Sequence, residues 1–183
     1  HRPGQFAFVT FDDKEGAHPF TIASADQGDR VISFDIKALG DYTGSLAARL
    51  QAGQDMRVEG PYGRFDLARC NPHARQIWIA GGIGVTPFLA WLESLQSAPA
   101  QAPAAELHYC TRDQASDAFV PRLERLCATL PGIRLHVHGA RQGASLTAES
   151  LSRSLGSEKQ AEVWFCGPIG LADALRTGLG RLG

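Results

Sequence analysis

The sequence has almost no net charge: 18 Lys and Arg stand against 19 Asp and Glu, a balance of −1 at pH 7. A chain without a cationic surplus has no basic stripe to neutralise a run of phosphates, so nucleic acid is not expected as its main partner. It also lacks any apolar run approaching the roughly 20 residues that a membrane-crossing helix needs, and no secretory leader pattern is visible. Cysteine is sparse. Cys70, Cys110, Cys127 and Cys166 never fall in Cys-x-x-Cys spacing, which removes a zinc knuckle, a dithiol redox pair and an iron–sulfur ligand set from the expectations and leaves reduced thiols. His136 and His138 alternate along a predicted strand, but no third ligand accompanies them in the sequence and no metal site is expected. Internal repeats are absent.

What is present falls into two textures. Residues 1–70 read as short β runs separated by turn residues: Phe6–Phe11, Phe20–Ala23, Val31–Lys37 and Asp55–Glu59 are predicted strands. Gly44–Leu50 interrupts them as a short helix, and Gly60–Phe65 closes the region as a turn. This pattern predicts a small antiparallel barrel. From residue 75 to 183 strand and helix alternate. Gln76–Ala80, Glu106–Cys110, Ile133–His138 and Glu162–Phe165 are predicted strands. Pro87–Leu95, Ala118–Leu130, Ala148–Leu155 and a segment from about Gly170 are predicted helices. Thr147 is placed as an N-cap, with Leu146 and Leu151 at the spacing of a hydrophobic staple. Such alternation implies an α/β nucleotide-binding domain: an open parallel sheet with helices on both faces, taking ligands at the carboxyl ends of its strands.

The most telling stretch is Ala80-Gly-Gly-Ile-Gly-Val-Thr-Pro87, between a predicted buried strand and an amphipathic helix. Gly81, Gly82 and Gly84 let a bulky anion approach the main chain. Thr86 is placed as N-cap and Pro87 as the first helical residue, so a fresh helix N-terminus would point its N–H groups into the turn, where phosphate is attracted.

Five motifs then occur in order: His18-Pro-Phe-Thr-Ile-Ala-Ser24, Gly40-Asp-Tyr-Thr-Gly-Ser-Leu46, Gly60-Pro-Tyr-Gly63, the glycine turn, and Cys166-Gly-Pro168. Together, and over nearly the whole chain, they resemble the ferredoxin–NADP reductase superfamily of flavoenzymes. The His-Pro-Phe-Thr variant is most similar to the dehydrogenase part of membrane ferric reductases and NADPH oxidases. The resemblance implies a partial flavin-binding barrel followed by the nucleotide domain, with FAD and NADPH (or NADH) as cofactors. In it, Phe20 packs on the flavin ring beside Pro19, and Thr21 hydrogen-bonds near N5, the atom that receives hydride. His18 stands where soluble members carry an Arg for the flavin pyrophosphate. Gly40, Thr43 and Gly44, with Lys37 nearby, belong to the pyrophosphate element. Gly82, Gly84 and Thr86 line the nicotinamide nucleotide. Cys166, followed by Gly167 and Pro168, lies by the nicotinamide C4. Arg112 and Arg141 follow predicted strands and are placed to grip a 2′-phosphate, which leans the cofactor towards NADPH, although Asp113 beside Arg112 is the feature of an NAD site.

The function so implied is a flavin reductase that takes hydride from NAD(P)H and passes single electrons on. The expected acceptor is a haem-bearing transmembrane domain of the same polypeptide, with this soluble piece on the cytoplasmic side of the membrane. The alternatives are the reductase component of a soluble oxygenase or ferredoxin system, and a non-enzymatic nucleotide-binding module. His1 and the glycine-rich end at Gly183 read as the limits of a piece of a longer polypeptide. Superfamily barrels have further strands before Pro3, and their nucleotide domains run on to a final aromatic residue. On that expectation the piece alone holds FAD weakly.

Overall fold

The computed structural model describes residues 1–155 and 160–182. The first domain holds an antiparallel sheet of order β2-β1-β3, formed by β1 (Phe6–Thr10), β2 (His18–Thr21) and β3 (Arg57–Tyr62), with helix α1 (Gly40–Arg49) crossing between β2 and β3. Ala7 and Val9 point inward from β1 and are fully buried, while on the other face Phe8 packs edge-on and Phe6 at a tilt against Tyr62. This alternation is the period-2 pattern of a half-covered sheet.

Three expectations are corrected here. Val31–Lys37 forms no strand. Left-handed residues at Gly28 and Arg30 precede it, and only one backbone bond joins it to the β2 side, from Ala23 N–H to the Ser33 carbonyl (2.8 Å), so no ladder develops. The Gly60–Phe65 segment is not simply a turn: β3 runs through Gly60 and Pro61 to Tyr62 at the sheet edge, where a proline's missing donor is tolerated. Helix α1 begins at Gly40 rather than Gly44, because Gly40 takes φ 70° and the Thr43 hydroxyl closes the first turn onto the Leu39 backbone.

The second domain is a parallel sheet of order β6-β5-β4-β7, from β4 (Arg75–Gly81), β5 (Ala105–Thr111), β6 (Ile133–Gly139) and β7 (Ala161–Cys166). Its helices are α2 (Thr86–Leu95), α3 (Val120–Ala128), α4 (Ala148–Leu155) and α5 (Ile169–Leu182). Trp78 and Ala80 with Leu107 and Tyr109 face α2 and α3 in one core; Ile77 and Ile79 face Leu151 of α4 and Leu175 of α5 in another. The α4 cap is as predicted, and reciprocal: Ser150 N–H donates to the Thr147 hydroxyl and Thr147 N–H to the Ser150 hydroxyl, both at 3.1 Å, while Leu146 and Leu151 are buried beneath. Helix α3 starts at Val120, later than the predicted Ala118, because the Asp117 carboxylate accepts the Phe119 N–H (2.8 Å) and ends the preceding loop.

Aromatic rings join the domains. Phe65 stacks on Trp91 of α2 (ring centroids 4.8 Å apart) and meets Phe88 and Trp164 edge-on, and the Trp91 indole N–H donates to the Pro3 carbonyl at 3.0 Å. A charged link runs beside them: Arg122 of α3 pairs with Asp35 (3.0 Å) from the first domain and with Glu93 (2.5 Å) of α2, and Glu93 also accepts the Ala25 N–H.

Candidate active site

The chain lays down β4, β5 and β6 in one direction from the middle of the sheet and then returns to place β7 on the other side of β4. That reversal opens a crevice between the carboxyl ends of β4 and β7, the position where open α/β sheets take their ligands. The glycine turn leaves β4 there, and Cys166-Gly-Pro168 leaves β7 there.

The two turns touch. A methyl group on Gly84 would sit 2.3 Å from the Cys166 carbonyl oxygen, and one on Gly81 would sit 2.6 Å from Pro168. Gly167 in turn lies against the Gly81 backbone. Gly81, Gly84 and Gly167 are therefore needed for turn-to-turn packing. Gly82 differs: its φ is 53° and nothing lies within 4 Å of where its side chain would go, so it supplies both the left-handed bend and open space at the turn.

The cap is corrected. Gly82–Val85 forms a turn of 3₁₀ helix that runs directly into α2, so Val85 is the N-cap, Thr86 the first helical residue and Pro87 the second. The Thr86 hydroxyl donates to the Ile83 carbonyl at 3.1 Å instead of capping. The free N–H groups of this end move back accordingly into the Gly82–Gly84 segment.

Directly in front lies a cavity of about 310 Å³ shared by both domains. Pro19, Phe20, Thr21, Lys37 and Thr43 line it from the first domain, and Gly84, Thr86 and Cys166 from the second. Eight residues singled out in the sequence thus converge on one space. Ile83, Leu39, Asp35 and Ile36 line it as well; they carry no motif chemistry, and only their position between motif residues hinted at them. His18 stays outside the lining, its ring stacked on Tyr42 of α1 (3.6 Å, 18°). The Tyr42 hydroxyl is buried without a partner among the described residues, and burial first, then Glu15, raises its pKa. An aromatic inside the Gly40-Asp-Tyr-Thr motif was the available signal for this pair. Gly40 and Gly44 flank the same helix start, with open space at both. Burial likewise holds the Cys166 thiol up, so it faces the cavity as a neutral group.

Arg112 and Arg141 are not brought to this cavity. They follow β5 and β6, where Arg112 is exposed and Arg141 is engaged: its guanidinium bonds the Asp113 carboxylate at 3.0 Å. Asp113 also accepts from Gln142 (2.8 Å), and these two bonds, Gln142 foremost, hold its carboxyl below the usual range. A larger cavity of about 770 Å³ opens at the opposite, amino ends of the strands beside Cys70 and Arg75 and contains none of the predicted site residues.

The residues present fit a flavin and a nicotinamide nucleotide. Phe20 offers a ring, Thr21 a hydroxyl, and the glycine turn a backbone cradle whose open side at Gly82 a side chain would fill. No helix among the described residues is long and apolar enough to cross a membrane.

Residues 1–66 match the model of an FAD-binding domain, and residues 78–177 that of an oxidoreductase NAD-binding domain. The anthranilate 1,2-dioxygenase electron transfer component of Acinetobacter baylyi is 27% identical over 185 residues, covering 97% of this chain and 53% of that protein. The carnitine monooxygenase reductase subunit of Escherichia coli is 32% identical over 138 residues, covering 75% of this chain and 40% of the relative. The chain thus spans about half the length of such curated relatives. An intact type IV self-sufficient cytochrome P450 monooxygenase superposes with a TM-score of 0.78 at 25% identity, covering 98% of this chain and 22% of that one. With both domains matched in the order in which the structure assembles them around one crevice, the chain belongs to the ferredoxin–NADP reductase superfamily, as an FAD-binding domain followed by an NAD-binding domain.

Proposed function

We propose that this chain is the reductase portion of an oxygenase electron-transfer system, taking hydride from a nicotinamide nucleotide and delivering electrons singly to an iron–sulfur or haem partner. The observation that carries the proposal is the shared cavity, which sets Phe20 and Thr21 of one domain against Gly84, Thr86 and Cys166 of the other. The relatives named above serve a dioxygenase and a monooxygenase, and the structural neighbour is itself a P450 monooxygenase. They weight the reading towards the soluble-oxygenase alternative and away from a membrane ferric reductase.

Bound flavin would supply the two-electron to one-electron conversion. The chain's own residues would do the positioning. Phe20 would offer its ring to the flavin. Thr21 would offer a hydroxyl at the hydride-accepting edge. The N–H groups of the Gly82–Gly84 segment would hold the pyrophosphate of the nucleotide. Cys166, kept neutral, would border the nicotinamide without adding charge there. The Phe65–Trp91 stack and the Asp35–Arg122–Glu93 link hold the two halves at a fixed separation, and a hydride path tolerates little change in that distance.

For the nucleotide, the proposal favours NADH. Arg141 spends its charge on Asp113, and a carboxylate at the end of the second strand suits a ribose hydroxyl better than a 2′-phosphate. The test is steady-state oxidation of NADH and NADPH with ferricyanide by the FAD-loaded chain, then with a ferredoxin as acceptor. FAD-dependent turnover with NADH in excess of NADPH is expected. Absence of FAD-dependent turnover with either nucleotide would overturn the reading.

A further inference from the structure

On the α4 and α5 side of the sheet, away from the crevice, four side chains meet that the hydride path does not use. Glu106 and His108 are two residues apart on β5 and therefore share a face. His136 lies directly across from His108 in the parallel register, and His138 is the next residue of β6 on that face. The third histidine that the sequence seemed to lack is thus supplied by the neighbouring strand.

The contacts have an unusual polarity. His108 is only 4% exposed, and its Nδ1 faces His138 Nε2 at 3.1 Å. Its Nε2 is buried and unpartnered among the described residues, and so is Nε2 of His136. Both point at one oxygen, Glu106 Oε2, at 3.6 and 3.5 Å. Arg75 occupies the other carboxylate oxygen, Oε1. His108 Nδ1 and His138 Nε2 share one proton. In the tautomer where His108 donates it, the His108 Nε2 lone pair faces the Glu106 carboxylate, and a cation between the two relieves that repulsion.

We propose that Glu106, His108 and His136 bind one divalent transition-metal ion of the zinc class, with His138 as the residue that positions His108. Two nitrogens and one carboxylate oxygen are a donor set that zinc accepts. Bond lengths of about 2.0–2.1 Å in a tetrahedron place ligand atoms about 3.3 Å apart, close to the 3.6 and 3.5 Å that separate the two nitrogens from Glu106 Oε2; all three ligand atoms lie within 4.8 Å of one another. The His108 and His136 rings are stacked at 14°, so one must turn about χ2 to aim at a shared ion. His136 has the room: it stands on the edge strand with 42% of its side chain exposed. That side leaves the fourth coordination position to solvent. A bound ion would pin the edge strand β6 to the interior strand β5.

The test uses the FAD-loaded chain, stripped with a chelator and titrated with Zn²⁺ by calorimetry, with metal counted after gel filtration. One equivalent is expected, bound at micromolar strength or tighter, with a rise in Tm. His136→Ala and Glu106→Gln should each weaken binding by at least about tenfold, and His138→Ala by about tenfold. His136→Ala changes an edge residue, and an unaltered far-UV circular dichroism spectrum would show that the fold is kept. Co²⁺ should give the visible bands of a four-coordinate nitrogen and oxygen site with no thiolate charge-transfer band. Lack of saturable one-to-one binding, retention of binding by His136→Ala and Glu106→Gln alike, or a thiolate band pointing to a cysteine would each overturn the proposal.

Discussion

Adding one methyl group at Gly84 is expected to be among the most damaging small changes in the chain. The new carbon would stand 2.3 Å from the Cys166 carbonyl oxygen, 2.6 Å from its carbon and 2.8 Å from the Gly167 nitrogen. All three are backbone atoms, fixed by β7 on one side and by the start of α5 on the other, so no side chain can swing away to relieve the clash. The cost belongs at the upper end of overpacking penalties, about 3 kcal/mol. For a chain of 183 residues that corresponds to a fall in Tm of about 6–12 °C. The gap between the two turns must also widen, which pulls Cys166 and Thr86 apart at the cavity, so turnover should fall even below the melting transition. Gly82→Ala is the matched control. It meets no atom within 4 Å and carries only the left-handed φ of 53°, so about 1–2 kcal/mol is expected. Thermal melts and ferricyanide rates of both variants decide the matter. If Gly84→Ala melts within about 2 °C of the parent, or costs less than Gly82→Ala, the turn-to-turn contact is not there and the account of the site fails.

Gly44 lies in α1 with open space around it, so Gly44→Ala should stabilise the FAD-free chain by about 0.5–1 kcal/mol while weakening FAD; a lower Tm would refute the helical placement. Phe65→Ala removes the ring that bridges three aromatics of the second domain and should cost about 2–4 kcal/mol in chemical denaturation, whereas less than about 1 kcal/mol would mean that the junction is held elsewhere. Asp113→Ala should raise KM for NADH more than for NADPH, and equal changes would remove the ribose role. Burial pushes Cys70 up to about 12 and Cys110 and Cys127 up to about 11, and it raises Cys166 as well. A thiol whose pKa is raised stays protonated below it, so all four should react slowly with Ellman's reagent at pH 8 and quickly once guanidinium unfolds the chain; one fast thiol in the native protein would contradict the burial described.

The second domain was legible because its signals are local and redundant. β4 and β5 are largely buried runs, β6 and β7 are short β-forming runs that end at a turn residue, and each helix has its own apolar stripe, so the four strands and four helices were foreseen with shifts of a residue or two at their ends. The first domain was less legible. Val31–Lys37 has strand-forming residues, but a ladder needs a partner at the right distance, and only Ser33 finds one. The sequence states what a segment prefers and says nothing about whether a neighbour arrives.

The site divides in the same way. Motif order placed Phe20, Thr21, Thr43, Gly84, Thr86 and Cys166 together, and they do line one cavity. Pairings between distant residues were hidden. The sequence places Arg141 to grip a 2′-phosphate, whereas the fold bonds it to Asp113; it shows His136 and His138 without a third ligand, whereas the parallel register sets His108 beside them. The glycines carried two meanings that spacing cannot separate. A glycine needed for its φ and a glycine needed because another backbone passes close by look identical in a sequence, yet only the second kind fixes the distance between two elements. Here Gly81, Gly84 and Gly167 are of that kind. They join the end of β4 to the end of β7, while Phe65, Trp91 and the Arg122 ion pairs join that unit to the first domain. The cavity exists only where both sets of contacts hold, so its geometry belongs to neither domain alone, and its motif residues would lie scattered if either set were broken.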